Sequence, residues 1–457
     1  MAFSLDDTIA AIATAHGEAG IGIVRISGSQ ALPLMRRHFH AAEAEWQPRS
    51  HQISYGWLLD EEGVRRDEVM AVWFQAPRSY TREDVVEIHS HGGAVAVQQA
   101  LSLFLNSGAR LAESGEMTLR AFLNGRIDLA QAEAVLDVVQ ARTELSMQAA
   151  MAQLAGRLSD EVRQARHALL DVLAHLTATI DFPEDDVPVQ NVAPDLQAVA
   201  AQLATLLESA DHGRLLRDGL RVAIVGRPNV GKSSLLNRLL RHERAIVTDI
   251  PGTTRDLVEE SLNLRGIPLV LVDTAGIRET SDVVESIGVE RSQGALSQAD
   301  LVLFVVDLAE PRHADEQRLA AQLAERPVVV VENKVDLVDP QREAEVAALL
   351  PARPHHRISA LTGAGIPALE AQLWAMVVGG DVAPNEAVRL TNPRHTQAIR
   401  AALGHVKAAI RAVEQGLPAD FATIDLHAAV AELGEITGER ASEQLLDAIF
   451  SRFCIGK

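Results

Sequence analysis

One octapeptide constrains this chain more than any other stretch. Gly226-Arg227-Pro228-Asn229-Val230-Gly231-Lys232-Ser233 has the spacing of a phosphate-binding loop, and such a loop works only between a buried strand and a helix. The flanks agree. Val222-Ala223-Ile224-Val225 reads as a buried strand, and Ser234-Leu235-Leu236-Asn237-Arg238-Leu239-Leu240 reads as the start of a helix. The glycines let successive backbone N–H groups converge on phosphate oxygens, and the helix N-terminus behind them adds a favourable dipole. Lys232 supplies a point charge, and the Ser233 hydroxyl is placed to bind Mg²⁺. The expected nucleotide-binding stretch runs from Asn229 through Val230, Gly231, Lys232 and Ser233 to Ser234.

Downstream motifs turn a phosphate site into a guanine-nucleotide site. The sequence predicts a hairpin from Leu257 to Leu264 and Ile267 to Val272, turning at Arg265-Gly266 and ending in Asp273-Thr274-Ala275-Gly276. Asp273 can hold Mg²⁺ through water, and the Gly276 N–H can donate to a γ-phosphate, a hydrogen bond that hydrolysis abolishes. After the apolar run Pro327–Val331 comes Asn333-Lys334-Val335-Asp336. The Asp336 carboxylate can accept from the N1–H and the exocyclic amine of guanine. Adenine presents an acceptor at N1 and no amine beside it, and sites built on such bonds reject the wrong partner by roughly 10⁴-fold. Ser359-Ala360, after His356-Arg357-Ile358, is placed to touch the base from another strand end. The order and spacing of these elements imply a GTPase.

The group that activates water is less direct. The position after the 273–276 motif, where small signalling GTPases carry glutamine, is Ile277, and an apolar side chain cannot align a nucleophile. Candidates are Arg278-Glu279-Thr280-Ser281-Asp282 with Glu285, and the loop Thr248-Asp249-Ile250-Pro251-Gly252-Thr253-Thr254-Arg255-Asp256. Arg255 and Arg278 fit arginine fingers as well as they fit solvated loop residues.

A chain of 457 residues accommodates about three domains at ~150 residues each. The N-terminus lacks the pattern of a signal peptide, and no apolar run reaches the ~20 residues needed to span a bilayer. A single cysteine excludes an internal disulfide and suits a cytoplasmic location. The net charge of −20 argues against a broad nucleic-acid-binding face, because such faces neutralise phosphates.

The text divides into three kinds. Residues 1–118 alternate strands (Gly20–Gly28, His51–Leu59, Val69–Phe74, Val85–His89) with a helix at Ala94–Leu105, an α/β pattern. Residues 119–216 read as helix, with Leu129, Ala132, Leu136 and Val139 at steps of three and four. They are broken by the acidic Asp181-Phe182-Pro183-Glu184-Asp185-Asp186-Val187-Pro188, and a further helix spans Leu196–Leu207. Residues 217–380 hold the Ras-like P-loop domain. Residues 381–457 return to helix on the stripe Ile399, Leu403, Val406, Ile410 and Val413. The expected architecture is a multidomain α/β plus α chain, with one helical domain interrupted by the GTPase domain; two separate helical domains are the alternative.

These residues carry a resemblance to the MnmE (TrmE) tRNA-modification GTPase family. It rests on the loop with Asn229, Gly-Thr-Thr-Arg-Asp at 252–256, Asp-Thr-Ala-Gly-Ile-Arg at 273–278 and Asn-Lys-Val-Asp at 333–336. Outside that domain it rests on Leu123-Asn124-Gly125-Arg126-Ile127-Asp128-Leu129-Ala130-Gln131-Ala132-Glu133-Ala134, on Tyr80-Thr81-Arg82-Glu83-Asp84-Val85-Val86-Glu87, and on the tail Phe453-Cys454-Ile455-Gly456-Lys457.

The resemblance implies GTP hydrolysis coupled to modification at C5 of the wobble uridine (U34), of the aminomethyl or carboxymethylaminomethyl type. It implies an FAD-dependent MnmG-type partner, tRNA bound through the complex, and a one-carbon unit from 5-formyltetrahydrofolate or a related folate. It implies a homodimer through a folate-binding N-terminal α/β domain, and K⁺ in place of an arginine finger, with Asn229, Thr248, Ile250 and Thr253 as matching ligands. Ser233 and Thr254 match the Mg²⁺ shell, Glu285 the residue that orients water, and Arg25, Glu87, Arg126 and Lys457 the folate contacts. Arg255 and Arg278 then become supporting residues. Two rivals stand beside this reading: a ribosome-assembly GTPase, which predicts a basic appendage, and a purely regulatory switch. Cys454 reads as a packing or contact residue, with a catalytic thiol as the alternative. His89 and His91, on one strand face before Gly92-Gly93, read as structural.

Overall fold

The structure is a computed structural model that describes residues 7–15, 17–182, 191–242, 260–272, 299–311, 313–337, 340–378 and 390–457, together with Leu296. Its first unit is a sheet of β1 (Ile9–Ile12), β2 (Ala19–Ser27), β3 (Phe39–Ala41), β4 (Ile53–Leu59), β5 (Arg65–Phe74), β6 (Val85–Gly92) and β7 (Arg110–Leu111). The order is β3-β4-β5-β6-β2-β1-β7, antiparallel except for the parallel β1–β7 edge. Alternation puts Val24, Ile26, Val86 and Ile88 on one face, where α1 (Ala31–His38) and α2 (Ala94–Asn106) cover them with Met35 and Phe104. The strands β1, β3 and β7 and the helix α1 go beyond the sequence reading. Each strand is four residues or fewer, too short to display a period.

Helices follow: α3 (Glu116–Leu123), α4 (Leu129–Gln140), α5 (Glu144–Leu154), α6 (Arg157–Asp181), α7 (Ala193–Glu208) and α8 (Ala210–Asp218). Asp128 starts α4 with a reciprocal capping box: its carboxylate accepts from the Gln131 N–H while the Gln131 amide oxygen accepts from the Asp128 N–H. Leu129, Ala132 and Leu136 are buried as the stripe predicts, but Val139 is 43% exposed. The cluster that covers this face, formed by Ile449, Phe450 and Phe453, reaches along α4 only to Leu136.

The inserted unit contains β8 (Leu220–Val225), α9 (Lys232–His242), β9 (Glu260–Leu264), β10 (Ile267–Val272), β11 (Leu301–Asp307), α10 (Ala314–Leu323), β12 (Val328–Asn333), α11 (Pro340–Ala347), β13 (His355–Arg357) and α12 (Ile366–Val378). Its sheet runs β13-β12-β11-β8-β10-β9, parallel apart from β9. The central strands β11 and β12 are buried at every position, as a parallel sheet covered on both faces requires. The chain then forms α13 (Pro393–Glu414), α14 (Ala419–Thr437) and α15 (Glu443–Phe450).

The two helical stretches share one core. Leu158, Val162 and Leu169 of α6 and Leu196 and Leu203 of α7 lie in the same apolar cluster as Ile399 and Val406 of α13 and Leu426 and Leu433 of α14. Each such side chain gains roughly 1.5–3 kcal/mol from burial, which binds the halves together across the insertion. Ala210 of α8 joins this helical core while Leu216, two turns on, joins the core of the inserted sheet. One short helix therefore carries the chain from one unit into the other. Among the described residues no helix is long and apolar enough to cross a membrane.

Candidate functional site

The loop after β8 stands at the carboxyl edge of a parallel sheet, where open α/β sheets bind ligands. Two of its residues have left-handed backbone, Asn229 (φ 63°) and Gly231 (φ 95°). Gly231 is required on two counts: its φ, and the space beside it, where a Cβ would stand 2.2 Å from the Asn333 amide nitrogen. Lys232 opens α9, and its Nζ donates to the carbonyls of Gly226 at 2.8 Å and Arg227 at 2.6 Å, so the amine turns back over the loop. Burial lowers its pKa. Ser233 follows in the first turn of α9, while Asn229 and Ser234 are exposed.

The base side is built from the ends of β12 and β13. Asn333, buried at the end of β12, donates from Nδ2 to the Val230 carbonyl at 2.8 Å and accepts on Oδ1 from the Ala360 N–H at 3.0 Å. One amide thus ties the phosphate loop to the base loop. Lys334 (φ 66°) pairs at 2.5 Å with Asp307, the buried last residue of β11. Asp336 is exposed on the short 3₁₀ turn Val335–Leu337, which is anchored by the Val335 N–H donating to the Ile358 carbonyl at 3.1 Å. The Ser359 hydroxyl accepts from the Thr362 N–H at 3.1 Å, and Arg238 of α9 donates to the Ala360 carbonyl at 3.1 Å. Asn229 to Ser234, Asn333 to Asp336 and Ser359-Ala360 therefore meet at one sheet edge. The remaining sequence candidates lie outside the described residues: Thr248, Asp249, Ile250, Pro251, Gly252, Thr253, Thr254, Arg255, Asp273, Thr274, Ala275, Gly276, Ile277, Arg278 and Glu285.

A second cluster forms on the N-terminal sheet. Arg25 on β2 stands directly opposite Glu87 on β6, and its Nη2 and Nε both donate to the Glu87 Oε1 at 2.7 and 2.8 Å. Burial alone would raise the Glu87 pKa, but His89 and Arg25 outweigh it and hold the carboxyl below its ordinary value. The Arg126 guanidinium lies 4.7 Å from the centre of the Tyr80 ring and donates to the Tyr80 carbonyl at 3.0 Å; Arg25 approaches the same ring at 5.4 Å. The chain end closes the cluster. Ile455 bridges Ser114 in antiparallel fashion, Gly456 rests against the Ile12 carbonyl, and Arg25 reaches the Gly456 carbonyl at 3.5 Å. Burial, then the nearby Arg25, lowers the pKa of Lys457. The four positions Arg25, Glu87, Arg126 and Lys457 are thereby gathered from distant parts of the chain.

The structure corrects the packing expectation for Cys454. The residue is exposed, because its neighbour Phe453 takes the buried position against Phe450 and Leu119. His91 pairs with Asp67 at 2.6 Å, and His89 faces Glu87 at 3.4 Å. Two contributors escaped the sequence reading. Tyr80 supplies the ring between two guanidinium groups, and its one signal was its place in the 80–87 motif. Asp307 braces Lys334, and its signal was an acidic residue ending the apolar run Leu301–Val306.

A phosphate loop at the carboxyl edge of a parallel sheet, braced by an Asn-Lys-Val-Asp strand end, defines a P-loop protein of the GTPase class. Comparison with known proteins narrows this. A family model described as "GTP-binding protein TrmE N-terminus" matches residues 8–126, and one described as "MnmE helical domain" matches residues 129–454. Curated relatives named tRNA modification GTPase MnmE include those of Acetivibrio thermocellus, 45% identical, and of a Synechococcus strain, 50% identical. Each alignment covers 99% of this chain and 99% of the relative. The G domain of the T. maritima FeoB iron transporter aligns at 24% identity over 35% of this chain and 97% of its own, with a TM-score of only 0.25. The chain belongs to the MnmE family of tRNA modification GTPases.

Proposed function

We propose that this chain is the GTP-hydrolysing component of a complex that installs an aminomethyl or carboxymethylaminomethyl group at C5 of the wobble uridine in tRNA. It would act as a homodimer in the cytoplasm with an FAD-dependent MnmG-type partner. The observation that carries the reading is the joining of two sites by one chain: the guanine-nucleotide site at the edge of the inserted sheet, and the Arg25, Glu87, Arg126 and Lys457 cluster closed by the chain end. Family membership over the whole length favours it over a ribosome-assembly or purely regulatory GTPase.

Each group this reading requires has fitting residues. Mg²⁺ would sit at Ser233 and Thr254, and K⁺ at Asn229, Thr248, Ile250 and Thr253; together these cations would offset charge on the transferring phosphoryl group. Asn229, exposed with left-handed backbone, offers a neutral amide oxygen, a donor suited to a monovalent cation. Asp336 reads guanine, and Glu285 orients water. A reduced folate suits the second cluster: Glu87 would accept from the pterin amine and ring N–H, while the cations would take the glutamate carboxylates. Lys457 beside Arg25 places two positive groups together, an arrangement that an anion relieves.

The test is reconstitution with the FAD-dependent partner, GTP, K⁺, unmodified tRNA and a reduced folate labelled in its one-carbon unit. The reading requires label in the wobble nucleoside that depends on GTP. GTP hydrolysis with no labelled nucleoside would refute it.

A further inference from the structure

The β9–β10 hairpin is the covalent link between the segment 248–256 and the motif 273–276. Its turn, Arg265-Gly266, lies at the end of the hairpin opposite Glu260 and Val272. There it meets the start of α5. The Thr143 hydroxyl donates to the Gly266 carbonyl at 2.6 Å. The Leu145 side chain fills the space beside Gly266, where a Cβ would stand 2.3 Å from Leu145 Cδ1, and Leu145 and Ala149 pack on the core of the inserted sheet. One turn on, the Ser146 hydroxyl donates to the Leu216 carbonyl at 2.6 Å, on the helix that leads into β8. Thr143 and Ser146 are both buried.

A single helix start therefore holds both the turn that opens β10 and the helix that leads into β8, and those two strands are paired from Leu220–Leu269 onward. It grips them at the edge away from the nucleotide. The six residues of β10 form a stiff arm of about 20 Å at ~3.3 Å per residue. A shift of β10 along its own axis would strain the Thr143–Gly266 bond at its start. Behind this junction, α5 packs on α4 and α6. The chain enters α4 directly from Arg126, a member of the second cluster.

We propose that Thr143, supported by Leu145, is the positioning residue through which the nucleotide state of the inserted domain reaches the helical domain. The hairpin turn moves against α5, and α5 passes the change to α4. The proposal rests on the GTP-driven reading above. Spatial intermediacy alone is not coupling, so the test measures coupling directly.

In the full chain, amide hydrogen exchange of residues 144–154 is compared between GDP and a non-hydrolysable GTP analogue, for the wild type, Thr143→Val and Thr143→Ser. The expected result is a nucleotide-dependent difference in wild type and Thr143→Ser that vanishes in Thr143→Val. In the reconstituted reaction, Thr143→Val keeps GTP hydrolysis within about twofold while modified nucleoside per GTP falls about tenfold. An unchanged nucleotide-dependent difference in Thr143→Val, or none in the wild type, overturns the proposal. So does a parallel loss of hydrolysis and modification, which would make Thr143 a fold support only. The exchange experiment uses no tRNA, so it stands or falls independently of the modification reading.

Discussion

The His395 imidazole lies 2.7 Å from the Glu133 carboxylate, joining residues 262 positions apart on either side of the inserted domain. Arg394 and Asn392 bond the same carboxylate at 2.6 and 2.9 Å. One helical turn along α4, Asp137 pairs with Arg217 at 2.8 Å. Glu133 therefore holds the point where the chain leaves the insertion, and Asp137 the point where it enters. Truncating one partner of a buried pair leaves uncompensated charge, so Glu133→Ala should destabilise the helical domain by about 3–5 kcal/mol. Denaturant unfolding checks this; a loss below about 1 kcal/mol would mean that the network holds nothing together.

The same group sets a pH response. Burial alone would raise the Glu133 pKa, but His395 and Arg394 outweigh it and hold the carboxyl at about 2. A depressed carboxyl pKa contributes stability that is full above the ordinary value near 4.5 and is lost as pH falls toward 2. The contribution is roughly 3 kcal/mol. Burial lowers the pKa of His395 against the pull of Glu133, which acts in the same direction, since the unfolded chain takes up the proton first. The melting temperature should fall as pH drops from about 7 to about 4, and Glu133→Gln should flatten the part of the curve below about pH 4.5.

In the proposed function, guanine selection would rest on Asp336. Replacing its carboxylate by an amide turns one acceptor into a donor that opposes the exocyclic amine of guanine. Asp336→Asn should weaken GDP binding by about 10²-fold or more and favour xanthine nucleotides, whose C2 carries an acceptor. Competition of fluorescent GDP with GDP and with XDP measures both. Unchanged selectivity would mean that this carboxylate does not face the base.

In the proposed function, cation dependence would rest on Asn229. Asn229→Ala should leave nucleotide affinity nearly unchanged and abolish stimulation of hydrolysis by K⁺ over Na⁺, a loss of up to ~10³-fold if the ion does the work of an arginine finger. Initial rates in matched KCl and NaCl decide it. Equal stimulation of the variant would exclude Asn229 from the ion site.

In the proposed function, folate recognition would rest on Glu87. Glu87→Gln keeps the shape but removes the charge that accepts the pterin donors, and charged hydrogen bonds of this kind are worth about 1.5–3 kcal/mol. Affinity for 5-formyltetrahydrofolate should fall about 10–100-fold by calorimetry, and the melting temperature should fall as well, because Arg25 loses the charge it pairs with. An unaltered affinity would assign Glu87 to structure alone.

The meeting of Gly231, Lys232 and Asn333 at one sheet edge was legible because each lies in a short motif of fixed spacing. The shared helical core was legible as an economical reading of two three-four stripes, and Leu169 and Ile399 meet in it. The joint between units was not legible. Glu133 with His395, Asp137 with Arg217 and Thr143 with Gly266 are contacts across 262, 80 and 123 positions, and no local pattern announces a pair so separated. The exposure of Cys454 was missed for the same reason, since it depends on which tail residue Leu119 and Phe450 accept.

The modification role itself is decided by mass spectrometry of wobble nucleosides in tRNA from cells lacking this protein, complemented with the wild-type chain or with Asp336→Asn. The C5 aminomethyl-type modification should disappear on deletion, return with the wild type, and stay absent with the variant. A nucleoside profile unchanged by deletion, with no redundant enzyme present, would contradict the proposed function.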